Sequence, residues 1–435
     1  MAPRLLKEGA WVASGQAASV LGRLVGIRIV TSLVSPSIYG EYVLLVGLAT
    51  LGVGLFCNPI QQAALRFYPD AERDGRVNGL RAVVTALLTR STLLIVAILL
   101  VAGVVWRIAT PGAVSPIVLG LLGGMLALDI VRAFECNLMN AARRQATYAW
   151  WSAGDAWLKP LATAGIIAVL GASTLSILAG NVAAGLALVL VFFRFRVRGG
   201  DEPLAPASVA WRQGIRSEFI RFAVPLIPLA ILAWLTSLAD RYVIAGIGGM
   251  EAAGLYAAAY GLASQPFISL GTLVNTALRP VFFGAVARDD RSKERRTFAL
   301  WIAAVAGGSA IGVVLVILLR EPLVRLVLGP RFWGAASLLP WIAGAYAMQA
   351  VQQVFEARLY AQRRTKRVTL LQVVSSTLAV LLYLALIPGM GAKGAAVGIF
   401  CALAASCVVS IVIASGSAPL LPPEFEPRRT IGEAE

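Results

Sequence analysis

Apolar stretches of about twenty residues, parted by short polar turns, recur along the whole chain. Twelve are read: 10–34, 42–66, 81–106, 114–138, 147–170, 172–193, 218–247, 252–282, 298–319, 335–357, 368–388 and 393–415. A bilayer core about 30 Å thick needs roughly 20 apolar residues per helix. The short alternating pattern of a membrane barrel is missing, and lipid leaves no partner for open backbone, so each stretch predicts a transmembrane helix. The widest polar interval runs only from Arg194 to about Ser217, too short for a folded soluble domain. The pattern thus predicts an all-α polytopic membrane protein.

Composition agrees. Of 435 residues, 58% are apolar and 14% charged, against a typical charged share of ~25%. Mean hydropathy is +0.79, and the 42 glycines suit helices whose backbones touch. The net charge of +16 would suggest nucleic acid in a soluble chain, but here its distribution points to topology. One set of connections holds Arg73, Arg76, Arg143, Arg144, Arg194, Arg196, Arg198, Arg212 and Arg216. Later members of that set hold Arg288, Arg291, Lys293, Arg295, Arg296, Arg363, Arg364, Lys366 and Arg367. The opposite connections hold only Arg107, Arg320, Arg325, Arg331 and Lys393. Both termini are therefore expected in the cytoplasm, and no nucleic-acid partner is needed to explain the charge. Gln16, Arg23 and Arg28 interrupt the first apolar stretch, which reads as a retained span and not a signal peptide.

The chain also repeats itself at an offset of about 214 residues. RIVTSLVSPSIYGEYVLLVGLA from Arg28 matches RYVIAGIGGMEAAGLYAAAYGLA from Arg241, with one residue inserted in the turn. Each copy has an arginine in an apolar helix, a short turn, then Gly-x-Tyr: Gly40 with Tyr42, and Gly254 with Tyr256. Six helices return the chain to its starting side. The halves are expected to be parallel six-helix bundles about a pseudo-two-fold axis along the membrane normal, with a substrate site between them. The expected boundaries are 1–193 and 218–415 for the bundles, 194–217 for a cytoplasmic linker and 416–435 for a disordered Pro- and Glu-rich tail.

Charge inside a membrane helix costs on the order of 2.5–3.5 kcal/mol per group on insertion scales, so each one needs a reason. Arg23 falls near the middle of the first span, on a polar stripe with Gln16 and Ser19. Arg28 lies closer to the outer end, and the repeat puts Asp240 and Arg241 at similar depth in the seventh span. Three arginines against one aspartate predict a cationic cavity between the bundles. An ion pair that only holds helices together is the structural alternative. Asn58, Gln62 and Arg66 form one face of the second span; Gln265, Ser269, Thr272, Thr276 and Arg279 form one face of the eighth. At the repeat offset these faces correspond, which predicts a shared cavity lining. Arg66 and Arg279 lie at inner ends, where they can also reach lipid headgroups.

Asp129, Arg132 and Glu135, and likewise Asp155 and Lys159, are spaced for local ion pairs and read as structural. Arg90 has no partner within reach along its helix. Pro225, Pro228 and Pro266 predict interruptions in the seventh and eighth spans. Four cysteines without metal-ligand spacing, and the absence of histidine, leave no metal or cofactor site and no proton relay of the usual kind.

SPSIYGEY, DRYVIAGIGGMEAAGLYAAAYGLA from Asp240, and EPLVRLVLGPRFWGAASLLPW from Glu321 resemble the polysaccharide-transporter branch of the multidrug/oligosaccharidyl-lipid/polysaccharide (MOP) exporter superfamily. The resemblance implies a Wzx-type flippase. Such a protein moves an undecaprenyl-pyrophosphate-linked oligosaccharide from the cytoplasmic to the periplasmic leaflet of a bacterial inner membrane. It further implies membrane lipid and polysaccharide assembly proteins as partners, and cation antiport, for which Asp240 is the candidate acid. Arg23, Arg28 and Arg241 are the expected pyrophosphate ligands, since guanidinium stays charged and binds phosphate bidentately. No phosphate-binding P-loop occurs, so ATP hydrolysis is not expected. Lipid II flippases of the superfamily typically carry fourteen spans, against twelve here. A multidrug exporter would favour an acidic cavity; a membrane glycosyltransferase or ligase would need a large outer loop and catalytic acids or histidine.

Overall fold

The computed structural model describes residues 2–109, 115–142, 144–198, 209–362 and 364–415. The tail 416–435, residues 199–208 of the connection 194–217, and the side chains of Gln16, Arg107, Arg143, Arg196, Arg198, Arg212 and Arg363 lie outside that description. Thirteen α-helices make up the described chain. The first half holds α1 (Ala2–Leu33), α2 (Pro36–Phe56), α3 (Asn58–Arg73), α4 (Val77–Ala109), α5 (Pro116–Ala141), α6 (Gln145–Leu170) and α7 (Thr174–Arg198). The second holds α8 (Val209–Ala223), α9 (Ile227–Ala287), α10 (Arg291–Val327), α11 (Leu339–Ala361), α12 (Thr365–Met390) and α13 (Ala392–Ser415).

These helices give the twelve expected spans in two six-helix bundles, because three joints divide them unevenly. Cys57 separates α2 from α3, just before Pro59, so the second span is a broken helix. A 3-10 turn over Val224–Leu226, containing Pro225, joins α8 to α9. Pro228 then sits at the first turn of α9, where its missing N–H costs nothing, while Pro266 is absorbed within the helix. Gly249 turns α9 back on itself at φ 81° and ψ 175°, a conformation closed to residues with a Cβ. Residues 227–248 and 250–287 are therefore two spans. Nine of the described helical segments are long and apolar enough to cross a bilayer, one of them holding both limbs of α9. The polar stripes of α1 and α11 keep those two outside that set.

Turn chemistry starts the helices where the sequence breaks. Ser35 accepts from the Ile38 N–H ahead of α2, with Pro36 beside it. Ser115 accepts from Ile117 ahead of α5, and Asp290 from Lys293 ahead of α10.

Each bundle has its own apolar core. Leu80, Val84, Leu122, Leu126 and Leu178 centre the first; Tyr256, Phe332, Ile342, Tyr383 and Ile399 centre the second. Small residues set the closest helix contacts, as expected where lipid competes for apolar surface. α1 lies on α6 through Gly15 against Ala149, Gly22 against Trp157, and Gly26 against Pro160. Along the seam between bundles, α2 lies on α9. A Cβ built on Gly40 would collide with the Met250 carbonyl, and one on Gly254 with the Pro36 carbonyl. Gly40 to Gly254 and Pro36 to Met250 are both offsets of 214, so this contact is itself pseudo-symmetric. That is the reciprocity a two-fold relation produces.

Candidate functional site

Four groups of contacts join the bundles, and they define what the seam can do. At the end of the seam nearest the α1–α2 turn, Gly40 and Gly254 bring backbones together. Beside them Arg28 Nη1 donates to the carbonyls of Leu328 and Arg325, the latter at 3.0 Å. Gly329 N–H donates to Thr31 Oγ1 at 2.9 Å. These bonds place a cation at the C-terminal end of α10, where unpaired carbonyls attract it. On one flank, Trp234 Nε1 donates to the Gly47 carbonyl at 2.8 Å and the Tyr242 hydroxyl to that of Leu44 at 2.7 Å. At the opposite end of that flank, α8 packs on α3: Phe67 stacks on Phe219 with centroids 5.2 Å apart. Phe219, Phe222 and Trp211 join the core of the first bundle.

On the other flank lies a cavity of about 290 Å³, walled by α1, α2, α6, α7 and α9. Arg23 lines it and bridges the seam, donating from Nη1 to Gln265 Oε1 at 3.2 Å. Tyr42, Asp155, Lys159, Thr163 and Asn181 are in its wall. Behind the wall, four charges interlock. Lys159 Nζ is 2.6 Å from Asp129 Oδ1 and 3.2 Å from Asp155 Oδ1. Arg132 Nε is 3.2 Å from Asp155 and 3.6 Å from Asp129. Two acids and two bases cancel, so Arg23 supplies the cavity's net positive charge. Among the described residues no group of three His, Cys, Asp or Glu side chains converges as a metal site.

The structure brings only part of the expected site together. Arg23 lines the cavity; Arg28 is occupied with the Arg325 and Leu328 carbonyls beside the glycine contact. Arg241, expected to meet substrate, is instead buried in the second bundle. Its Nη1 lies 3.6 Å from Asp240 Oδ1 and donates to the Ser237 carbonyl at 2.6 Å. Its guanidinium stacks 4.2 Å from the Tyr260 ring. Asp240 is fully buried and accepts the Tyr256 hydroxyl at 2.5 Å. For this pair the alternative reading, charges that hold helices together, is the one the packing matches. The physical reason is rotational: Arg241 precedes the turn at Gly249 on the side of α9 that meets Tyr256 and Tyr260 of its own returning limb.

Asn58, Gln62 and Arg66 on α3, and Thr272, Thr276 and Arg279 on α9, are exposed and are not part of this cavity's wall. Arg66 covers the Phe222 ring at 5.3 Å and Arg279 the Phe283 ring at 5.5 Å, so the two arginines keep matching roles in the two halves. Glu135 pairs with Arg81 across to α4. Arg90 lies on the exposed face of α4. Sequence reasoning gave Asp155 and Lys159 a structural role alone and did not put them in a cavity wall. The available signal was the glycine stripe Gly15, Gly22 and Gly26, which marks the face of α1 that takes α6.

Solved structures share this architecture. A MOP superfamily transporter from Pyrococcus furiosus, described as having a binding pocket of reverse polarity that suggests a different function, superposes with TM-score 0.67. Its identity is 13%, over 94% of each chain. Inward- and outward-facing structures of a multidrug resistance MATE family transporter of the same superfamily match with TM-scores of 0.63 and 0.65. Both are 13% identical, over 92% and 94% of this chain and 94% of theirs. No curated protein matches the sequence. Residues 29–338 match the model of the polysaccharide biosynthesis protein family, which is most of the chain, and this multi-pass membrane protein of MOP fold therefore belongs to that family.

Proposed function

We propose that the protein is a flippase, not an enzyme. It carries an undecaprenyl-pyrophosphate-linked oligosaccharide from the cytoplasmic to the periplasmic leaflet of a bacterial inner membrane. Its termini lie in the cytoplasm, as the basic connections favour. The observation that carries the reading is Arg23, a guanidinium in a cavity at the seam, held across it by a neutral amide. A diphosphate entering hydrocarbon loses its hydration, and burying that charge unpaired is prohibitive. Arg23 replaces the lost water at the depth where the cost is greatest. Gln265 is a weak competitor for the guanidinium, and phosphate displaces it readily.

The remaining residues take graded parts. Arg66 and Arg279 stand exposed at the inner ends, suited to a first encounter with the headgroup. Arg28 holds carbonyls that phosphate oxygens can replace once the outer seal parts. We assign Asp240 to balancing Arg241 within the second bundle, and not to ion coupling. Rocking of the two halves, which parts and remakes the glycine contact, supplies alternating access, while the polyprenyl tail stays in lipid. Asp155 is the one cavity feature that would suit a cationic drug, yet Lys159 and Arg132 already pair with it at 3.2 Å.

Export of surface polysaccharide in cells whose only copy is Arg23→Ala tests the proposal. Loss of export at normal protein level, with partial recovery in Arg23→Lys, is expected; normal export in Arg23→Ala overturns it.

A further inference from the structure

The second bundle holds a separate notch of about 60 Å³ between α9 and α11. Tyr346, Gln349 and Gln353 reach it from α11, at i, i+3 and i+7 on one face. Phe267 and Thr272 reach it from α9. Glutamine in a membrane helix demands a partner, yet among the described residues Gln349 makes no side-chain hydrogen bond. Its neighbour Gln352 donates from Nε2 to Glu356 at 2.8 Å, while its Oε1 is buried without a partner. Gln353 is exposed and accepts only a long bond, 3.4 Å from Asn275 Nδ2. Asn275 is itself oriented from behind, because Trp301 Nε1 donates to its Oδ1 at 2.9 Å. The Thr272 hydroxyl donates to the Ile268 carbonyl at 2.8 Å, which leaves its lone pairs for an incoming donor.

The notch is therefore neutral, offers amide donors and acceptors side by side, and has the Phe267 and Tyr346 rings in its wall. A phosphate would find no cation there, and a cationic drug no acid. A sugar fits each feature: every hydroxyl both donates and accepts, as an amide does, and the ring's C–H face suits an aromatic wall. The volume admits the hydroxyl edge of one ring, with the rest of the glycan in the open cleft. Position agrees as well. Thr272 is seven residues beyond Gln265, two helical turns on the same face and about 10 Å inward. One or two sugar rings bridge that distance from a pyrophosphate at Arg23.

We propose that the Gln349–Gln353 notch is a glycan subsite that recognises hydroxyls of the sugars nearest the pyrophosphate. This rests on the flippase reading above. Two probes separate them: undecaprenyl pyrophosphate alone, and the same lipid carrying an N-acetylglucosamine–galactose disaccharide. Binding of each to the full-length protein in nanodiscs is measured, with undecaprenol as the lipid control. The wild-type protein is expected to bind the glycosylated lipid about tenfold more tightly than the bare one. Gln349→Leu/Gln353→Leu reduces that advantage to about twofold or less and leaves bare-lipid affinity unchanged. Thr272→Val, a milder change, reduces it about threefold with the same thermal midpoint. A wild-type protein with no preference for the disaccharide, or variants that keep it, overturns the subsite while leaving the flippase reading standing. A wild-type protein that binds neither pyrophosphate lipid better than undecaprenol overturns the flippase reading itself.

Discussion

The outer seal makes a quantitative prediction. In Gly254→Ala the new Cβ would fall against the Pro36 carbonyl, far inside van der Waals contact. The carbonyl belongs to helix backbone and the Cβ is fixed to its Cα, so neither can swing aside as a long side chain does, and α2 and α9 must separate by roughly 1 Å. Overpacking of this kind costs about 1–3 kcal/mol. The cost falls on the state in which the outer ends touch and vanishes when they part. The equilibrium should therefore shift toward outward opening by about 5- to 150-fold. The assay replaces Cys57, Cys136, Cys401 and Cys407 with serine or alanine and installs Val30→Cys, which lines the cavity. Labelling by a membrane-impermeant thiol reagent is then followed from the outside of oriented vesicles. Gly254→Ala should raise the rate at least about fivefold. Gly120→Ala, with nothing within 4 Å of its Cβ, should leave it unchanged. Equal rates for Gly254→Ala and the parent, at equal folded protein, would refute the seal.

Three further outcomes follow from the contacts. Asp240→Asn strands the buried Arg241 guanidinium and should destabilise the protein by about 3–5 kcal/mol, seen as a lowered melting midpoint in detergent; Asp240→Asn/Arg241→Gln should recover part of it. Lys159→Met leaves Asp129 and Asp155 facing one another with only Arg132 between them, and should lower folded yield, whereas Lys159→Arg should not. Trp234→Phe deletes the bond to the Gly47 carbonyl and should cost about 1 kcal/mol, read from the melting midpoint.

Particular residues show where sequence reading stops. The helical spans were legible because the bilayer imposes a length and an apolar character that no packing can waive. The break at Cys57 was not, since Asn58-Pro59 fits a kink as well as a straight start. α8 straddles the expected boundary between the basic linker (194–217) and the seventh span (218–247), and only its fold shows Phe219 and Phe222 packing on Phe67 of the first bundle. Arg28 and Arg241 look equivalent in the repeat. One reaches across the seam to the Arg325 and Leu328 carbonyls and the other is sealed under Tyr260, because sequence gives a helix's depth but not which neighbour its face meets.

By itself, then, the sequence determined the helical spans, the internal repeat and the Gly40–Gly254 correspondence, and its basic connections set an expectation for membrane orientation. All four depend on local composition or on the order of residues along the chain. The tertiary structure alone decided that Arg28 binds carbonyls, that Asp129, Arg132, Asp155 and Lys159 close into one network, and that Gln349 faces a neutral notch. Those outcomes depend on the rotation of each helix against its neighbours. Small-residue contacts such as Gly22 against Trp157 fix that rotation, and they involve residues far apart in the chain.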